Sequence, residues 1–506
     1  MHARVLSAAL LGVEAALVRV EVDVSPGLPA FATVGLPDSA VRESRERVRS
    51  AIRNSGFPFS QDRITVNLAP AGLRKEGASF DLPIALGILA ATGYVKGEAT
   101  ELLAVIGELA LDGEIRPVRG ALAVGLACRR RGIKTLLVPR ANGAEAAAIG
   151  GLRIIPAGTL HDAVAMLNGE AAIPEPRGPD PDATLSTYQD DFSDVVGQAH
   201  AKRALEIAAA GAHNVLLVGP PGAGKTMLAR RLPSILPPPT SEEMIEASTI
   251  WSVAGLLPRS TGLLHHRPFR APHHTISISG LVGGGSSPHP GEVTLAHLGV
   301  LFMDELPEFP RHALESLRQP LEEGRVTITR IGGIRHFPAR FQLVGAANPC
   351  RRGCPSLDRC LCTPAERQRY LGRLSRPLLD RIDLHVELPA IPPAALQAAA
   401  PGEGSVAVRA RVLHARDRQQ QRLAPVRLRA NADLTPRLLR LLCPLGPDAQ
   451  RLLTAAAERL GLSARGHDRI IKVARTVADL AGSEAIMAEH CAEAIQYRGL
   501  DRQWRG

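Results

Sequence analysis

Aromatic residues are scarce in this chain: Trp, Tyr and Phe together make up 3% of its 506 residues. A groove that grips single-stranded nucleic acid by stacking bases on rings needs more of them, so any such contact here would rest on charge. Long apolar runs are missing as well. No stretch approaches the roughly 18 residues of a membrane span. The apolar opening MHARVLSAALLGVEAALVRVEV is interrupted by Glu14 and Arg19 and has no small-residue cleavage site, so it reads as a strand pair rather than a signal peptide. No membrane partner is expected. Cysteine does not form a disulfide framework: of seven, four crowd into residues 350–362 and the rest are scattered. That usage points to a reducing cytoplasm. No repeat at solenoid periods is visible. Acid is in deficit, with 50 Asp plus Glu against 60 Lys plus Arg, a net charge of +10. This suits a polyanionic partner such as nucleic acid, although arginine richness alone also raises a pI.

What is there divides by pattern. The chain is too long for one hydrophobic core, and about two to four domains are expected. In residues 1–170, RITVNLAP (63–70) and KTLLVP (134–139) read as strands. AVRESRERVRSAIRNSG (40–56) and DLPIALGILAATG (81–93) read as helices, each stopped by a glycine. AAIPEPRGPDPDATLSTYQD (171–190) is rich in Pro, Asp and small polar residues without periodicity, and reads as a linker. Residues 191–395 alternate strands and helices, an α/β pattern, and residues 396–506 read as successive amphipathic helices.

The chemistry concentrates in the middle region. NVLLVGPPGAGKTMLARRL (214–232) is a buried strand, a glycine loop and a helix, and Gly219, Gly224, Lys225 and Thr226 meet the pattern G-x-x-x-x-G-K-[ST]. The loop from Gly219 through Pro220, Pro221, Gly222, Ala223 and Gly224 into Lys225, Thr226 and Met227 would turn its N–H groups onto the phosphates of ATP. Lys225 would neutralise the β/γ-phosphates and Thr226 would ligate Mg²⁺. HLGVLFMDE (297–305) is an apolar strand ending in two acids: Asp304 to hold Mg²⁺ through water, Glu305 to polarise the attacking water. RFQLVGAANP (340–349) is another buried strand ending in a polar side chain, Asn348, which either orients that water or caps the next turn. RLSRPLLDRIDLHVELP (373–389) offers Arg373, Arg376 and Arg381, and LSARGHDRI (462–470) opens a helix with Arg465 near its start. Taken in this order, the segments resemble an AAA+ ATPase. The resemblance implies that Asn348 is sensor 1, Arg465 is sensor 2 on a helical lid, and Arg381 is a finger inserted into the neighbouring subunit's site. A local pair of Arg381 with Asp380 or Asp383 is the plainer alternative.

The resemblance then becomes specific. GQAHAKRALEIAAAGAHNVLLVGPPGAGKTMLARRLPSILPP (197–238), HHRPFRAPHHTISISGLVGGG (265–285), HPGEVTLAHLGVLFMDELPEF (289–309), LRQPLEEGRVTITR (317–330) and LLDRIDLHVELP resemble the magnesium-chelatase branch of AAA+ proteins. From end to end the chain is similar to the ComM/YifB family. Membership implies a homo-hexameric ring in the bacterial cytoplasm that hydrolyses ATP. It also implies action on single-stranded or branched DNA: branch migration that promotes DNA integration during natural transformation. The expected fold is an α/β AAA+ P-loop core with a helical lid, preceded by an α+β domain of the Lon-protease, ribosomal-S5-like type. In this branch two elements project into the pore, so Arg267, Arg270, His273 and His274 in the insertion are candidate DNA contacts. Arg330, Arg335 and His336 join them on GRVTITRIGGIRHFPARF (324–341), which reads as a hairpin with an Ile-Gly-Gly turn.

Two regions stand apart. Cys350, Cys354, Cys360 and Cys362 put four thiols directly after Asn348; they could wrap a structural Zn²⁺ tetrahedrally or stay as free thiols or redox pairs. Residues 1–170 resemble the proteolytic domain of Lon, which needs a serine nucleophile activated by a lysine. RKEGASFDLPIALGIL (74–89) matches the nucleophile segment at Ser79, and GELALDGEIRPVRGALAVGLACRRRGIKTLLVP (107–139) matches the lysine segment. The lysine position holds Leu122, and Lys75 and Lys134 lie elsewhere, so Ser79 is expected to be inert. Beside the DNA motor stand two rivals, a magnesium-chelatase motor subunit and an ATP-dependent protease. A remodeller that threads protein lacks its usual aromatic-hydrophobic pore loop here.

Overall fold

A computed structural model of the chain describes residues 1–96, 102–175, 190–258, 261–285, 288–330, 333–354, 360–390 and 402–502. The opening segment forms strands His2–Leu11 and Glu14–Ser25, paired antiparallel around Gly12. Strict alternation sets the faces: Val18, Val20, Val22 and Val24 are buried, and Arg19, Glu21 and Asp23 between them are not. The pair forms the centre of a seven-stranded mixed sheet ordered Ala30–Val34, Arg63–Ala69, Glu14–Ser25, His2–Leu11, Leu103–Val105, Thr135–Pro139, Arg153–Ala157. Helix Ser39–Asn54 presents Val41, Val48, Ala51 and Ile52 to the core. Helix Asp81–Ala91 is buried almost all round. Gly56 and Gly93, just beyond the two helices, take left-handed φ of 86° and 85°, which a side chain would resist.

The second sheet has five strands, all parallel, ordered Phe269–Arg270, Val300–Met303, Gln342–Ala347, Val215–Val218, Leu384–Glu387. VLLV, VLFM and QLVGAA are buried at every position, as helices on both faces of a parallel sheet require. The helices after Gly404 (Ser405–Leu423, Pro436–Leu442, Pro447–Leu460, Ala464–Leu480 and Ala488–Gln496) share one apolar core with this sheet. Buried ion pairs fix their seat. The Asp383 carboxylate, 2% exposed, accepts from the backbone N–H of Asn214 at 2.9 Å and pairs with Arg469 on helix Ala464–Leu480. Burial works against that charge, but Arg469 and His213 outweigh it and hold the Asp383 carboxyl well below the usual carboxylate range.

The two sheets belong to units that touch. Leu122, on helix Ala121–Arg130, is fully buried with Ile149 and with Leu263 from beyond helix Ser241–Ala254. The N–H of Gly120 donates to Ser252 O at 3.0 Å. Of the linker 171–190, only 171–175 and 190 lie within the described residues, and the 395/396 boundary lies outside them.

Candidate nucleotide site

Three buried strands end at one edge of the five-stranded sheet, and each delivers a residue of the site there. Gly219 follows Val218, Asp304 follows Met303 and Asn348 follows Ala347, with Val218 paired to Ala347 and Met303 to Gly345. The carboxyl edge of a parallel sheet is where such folds bind ligands. Backbone approach demands the glycine at 219: a Cβ there would lie 2.7 Å from Leu388 O. Gly222 and Gly224 take φ of 77° and 86°, turning the loop into helix Lys225–Ile235. Its N-terminus therefore faces the loop, and with it the helix dipole.

Lys225 is buried, and its ammonium donates to Gly219 O at 2.6 Å, Pro220 O at 2.9 Å and Asn348 Oδ1 at 3.0 Å. Burial pulls its pKa below the ordinary lysine value, with Asp304 and Glu305 opposing. Thr226 Oγ1 donates to Asp304 Oδ2 at 2.7 Å, so the hydroxyl and carboxylate that a Mg²⁺ ion would use are already adjacent. Glu305, in the left-handed region at φ 50°, donates its N–H to Asp304 Oδ1 at 2.9 Å. Its carboxylate meets His274 Nδ1 at 3.3 Å. Met227, the third residue of the helix, is 39% exposed.

The two arginines lie elsewhere. Strands Val215–Val218 and Leu384–Glu387 run parallel with Val215 opposite Leu384. Arg381 precedes that pair, whereas the P-loop follows Val218, so a strand length of roughly 13 Å separates them at about 3.3 Å per residue. At this amino edge Arg381 is 3% exposed, pairs with Glu322 and donates to Pro377 O. Burial pulls its pKa down, while Glu322 opposes. Its partner is thus neither Asp380 nor Asp383. Arg465 stands 3.6 Å from the same Glu322 carboxylate with its side chain 63% exposed. The helix that carries Arg465 is seated at this edge by the pair of Asp383 and Arg469. Arg373 bonds Pro307 O at 3.1 Å and Glu308 at 2.7 Å, and Arg376 is exposed.

The basic candidates divide. Arg267 donates to Pro237 O, Leu298 O and Glu243, and Arg270 grips Glu292 through two bonds of 2.6 and 2.7 Å while lying over the Trp251 ring. Both guanidiniums are engaged by partners inside the chain. His273 is exposed and packs on His274, with ring centroids 4.1 Å apart, and His274 faces Glu305. The hairpin is present as Arg325–Arg330 paired with Gly333–Pro338. His336 is exposed and bonded to Thr327, and Arg335 is half-buried beside Gly12. The Arg330 side chain and residues 331–332 lie outside the described residues.

The four cysteines converge, their sulfur atoms all within 4.8 Å of one another. Burial raises the Cys350 thiol, but hydrogen bonds from Cys354, Cys362 and Cys360 prevail and bring it to about 7. In the first unit Leu122 is buried in apolar contact, and the Lys75 ammonium is wholly buried on Gly35 O and Pro70 O. Sequence reasoning missed Glu322, the shared arginine partner, and the His274–Glu305 contact. An acid in LEEGR and a histidine pair carry no signal of partners so far away in sequence.

A parallel sheet with a P-loop, a following acid pair and a polar strand end defines a P-loop ATPase core of the AAA+ class. The family description "Magnesium chelatase, subunit ChlI" matches residues 191–396, "Subunit ChlI of Mg-chelatase" matches 20–142 and "Magnesium chelatase, subunit ChlI C-terminal" matches 402–498. Competence protein ComM of Haemophilus influenzae is 44% identical, covering 98% of this chain and 97% of that protein. YifB of Salmonella typhimurium is 44% identical over 98% of this chain and 96% of its own length. The magnesium-chelatase 38 kDa subunit of Rhodobacter capsulatus is 29% identical over 39% of this chain and 55% of its length. The chain belongs to the ComM/YifB family, whose AAA+ core suggests ATPase activity with ATP and Mg²⁺. Among the described residues no helix is long and apolar enough to cross a membrane.

Proposed function

We propose that the chain is an ATP-hydrolysing motor that works on DNA in the cytoplasm as a ring of six copies, driving branch migration during uptake-linked integration. The observation that carries the ring is the split of the site. Lys225, Thr226, Asp304, Glu305 and Asn348 gather at the carboxyl edge of the sheet, while Arg381 and Arg465 share Glu322 at the amino edge. A nucleotide held at the first edge meets those arginines only on a neighbouring copy, where transition-state charge needs them. In this reading the N-terminal domain (1–170) is a folded, proteolytically inactive module for assembly or partner contact, followed by linker 171–190, the ATPase core (191–395) and a helical lid (396–506). A structural Zn²⁺ on the four cysteines completes the cofactor set.

DNA is favoured by the net charge of +10 and by the basic hairpin, which carries the candidate contacts Arg335 and His336, with Arg330 at its end. The printed name of the Haemophilus relative, a competence protein, points the same way. The test is ATP turnover with and without single-stranded and branched DNA over a range of salt. Stimulation that fades as salt rises is expected; no stimulation and no salt-dependent binding would sink the DNA reading. The magnesium-chelatase alternative rests on a relative that matches a minor part of the chain. The protease alternative fails chemically at Leu122, which cannot take a proton from Ser79; casein cleavage lost on Ser79→Ala would revive it.

A further inference from the structure

The strand that delivers Asn348 runs straight into Cys350. This thiol meets Cys354, Cys360 and Cys362, all four sulfurs within 4.8 Å of one another and none in a disulfide. A tetrahedral site with Zn–S of about 2.3 Å sets neighbouring sulfurs at about 3.8 Å, so a contraction on the order of 1 Å closes the shell. Cys350, Cys354 and Cys362 are buried, and among the described residues their cluster contains no apolar side chain besides the cysteines themselves. Four small thiols bury too little surface to hold a loop, and a metal supplies what that core lacks. The N–H of Cys354 donates to Cys350 Sγ at 3.3 Å, the kind of outer hydrogen bond that steadies a bound thiolate.

The loop does not stand free of the nucleotide site. Gly353, between the first two cysteines, takes a left-handed φ of 65°, and a Cβ there would come within 2.7 Å of Pro221 Cγ. Its turn therefore lies directly on the P-loop. On the other side of Cys350, the Asn348 side chain accepts from Lys225 at 3.0 Å. Helix Pro364–Leu371 begins just after Cys362 and brings the Tyr370 hydroxyl to the backbone of Asn348. One cluster thus anchors a segment touching both the phosphate loop and the residue facing its lysine.

We infer that Zn²⁺ bound by these four thiolates braces the nucleotide site, holding Gly353 against Pro221 and Asn348 toward Lys225, so that ATP binding and hydrolysis depend on the metal. The inference rests on the reading of the P-loop as an ATP site. Four protein ligands leave no open position, so the metal shapes the site and takes no part in the chemistry.

The experiment uses the full-length protein purified without added metal. Zinc is counted by elemental analysis, binding is followed with a fluorescent ATP analogue and turnover by phosphate release. Wild type is expected to carry about one Zn²⁺ per chain. The double variant Cys360→Ser/Cys362→Ser should lose the zinc and bind and turn over nucleotide roughly 10–100-fold less well, the scale of a site misplaced by about 1 Å. Gly353→Ala covers the case in which the double variant fails to fold. It should keep its zinc and still weaken nucleotide binding, because the added methyl pushes on Pro221. Wild type without zinc, or a zinc-free double variant with unchanged nucleotide binding, would overturn the brace. So would a Gly353→Ala protein that binds nucleotide like wild type. Zinc-replete wild type that binds no ATP would instead overturn the ATP-site reading beneath it.

Discussion

Lys225 has three protons to donate and three acceptors already placed, at Gly219 O, Pro220 O and Asn348 Oδ1. A phosphate oxygen entering the loop takes over one of these positions, with the dipole of helix Lys225–Ile235 behind it. Lys225→Ala should therefore cut turnover by roughly 10²–10³-fold or more, the scale of losing one charge-stabilising donor, while far-UV circular dichroism stays unchanged. A second side chain serves the fold instead. Asp383 is buried and charged, and Asp383→Asn leaves Arg469 without its anion, so a loss of about 3–5 kcal/mol is expected in urea titrations. Because its folded pKa is depressed, the Asp383 contribution is complete above about pH 4 and drains away as pH falls through the folded value. The wild-type urea midpoint should follow that course, and the variant's should be flatter.

Helix Ala121–Arg130 shows how one element changed its employment. Leu122 stands where the Lon resemblance asks for lysine, and the structure uses it as a contact between the two units, buried with Ile149 and Leu263. Leu122→Ala should lower stability by about 2–5 kcal/mol, read from the urea midpoint. Leu122→Lys would put an ammonium into that apolar seam, so it should destabilise further and yield no peptidase activity on casein. The P-loop element is the opposite case: Gly219 to Thr226 are contiguous, and the turn, the helix and the lysine were all legible as a string. Asp304 and Asn348 were legible for a related reason, since each ends an apolar strand whose direction the P-loop had already set. The partners of Arg267 and Arg270 were not legible, because charge in a sequence does not reveal its partner and Glu243 and Glu292 lie too far along the chain to be seen as theirs.

For the whole molecule, the distribution of charges over the two edges of the sheet makes a testable demand. Arg465 is exposed, so Arg465→Ala should fold as wild type and bind nucleotide alone, yet hydrolyse it poorly in the assembled state. Mixing Arg465→Ala with Glu305→Gln copies should recover part of the turnover that each lacks, because some interfaces then pair an intact acid with an intact arginine. No recovery across mixing ratios would mean that Arg465 does not act across an interface.

Local order was enough for the P-loop, the acid pair, the strand-borne asparagine and the cluster of cysteines, because each is a short string whose backbone form follows from its own residues. The opening strand pair and the two glycine-stopped helices were legible for the same reason. Strand direction and long-range pairing decided the rest. Arg381 and Arg465 share Glu322 at the far edge because parallel strands put the residues before them and after them a strand length apart. Leu122 is a seam residue because two units meet on it. The cysteine loop bears on Pro221 because the strand ending at Asn348 is hydrogen-bonded beside the one that ends at the P-loop. Those relations depend on which segments become neighbours, and folding alone sets that.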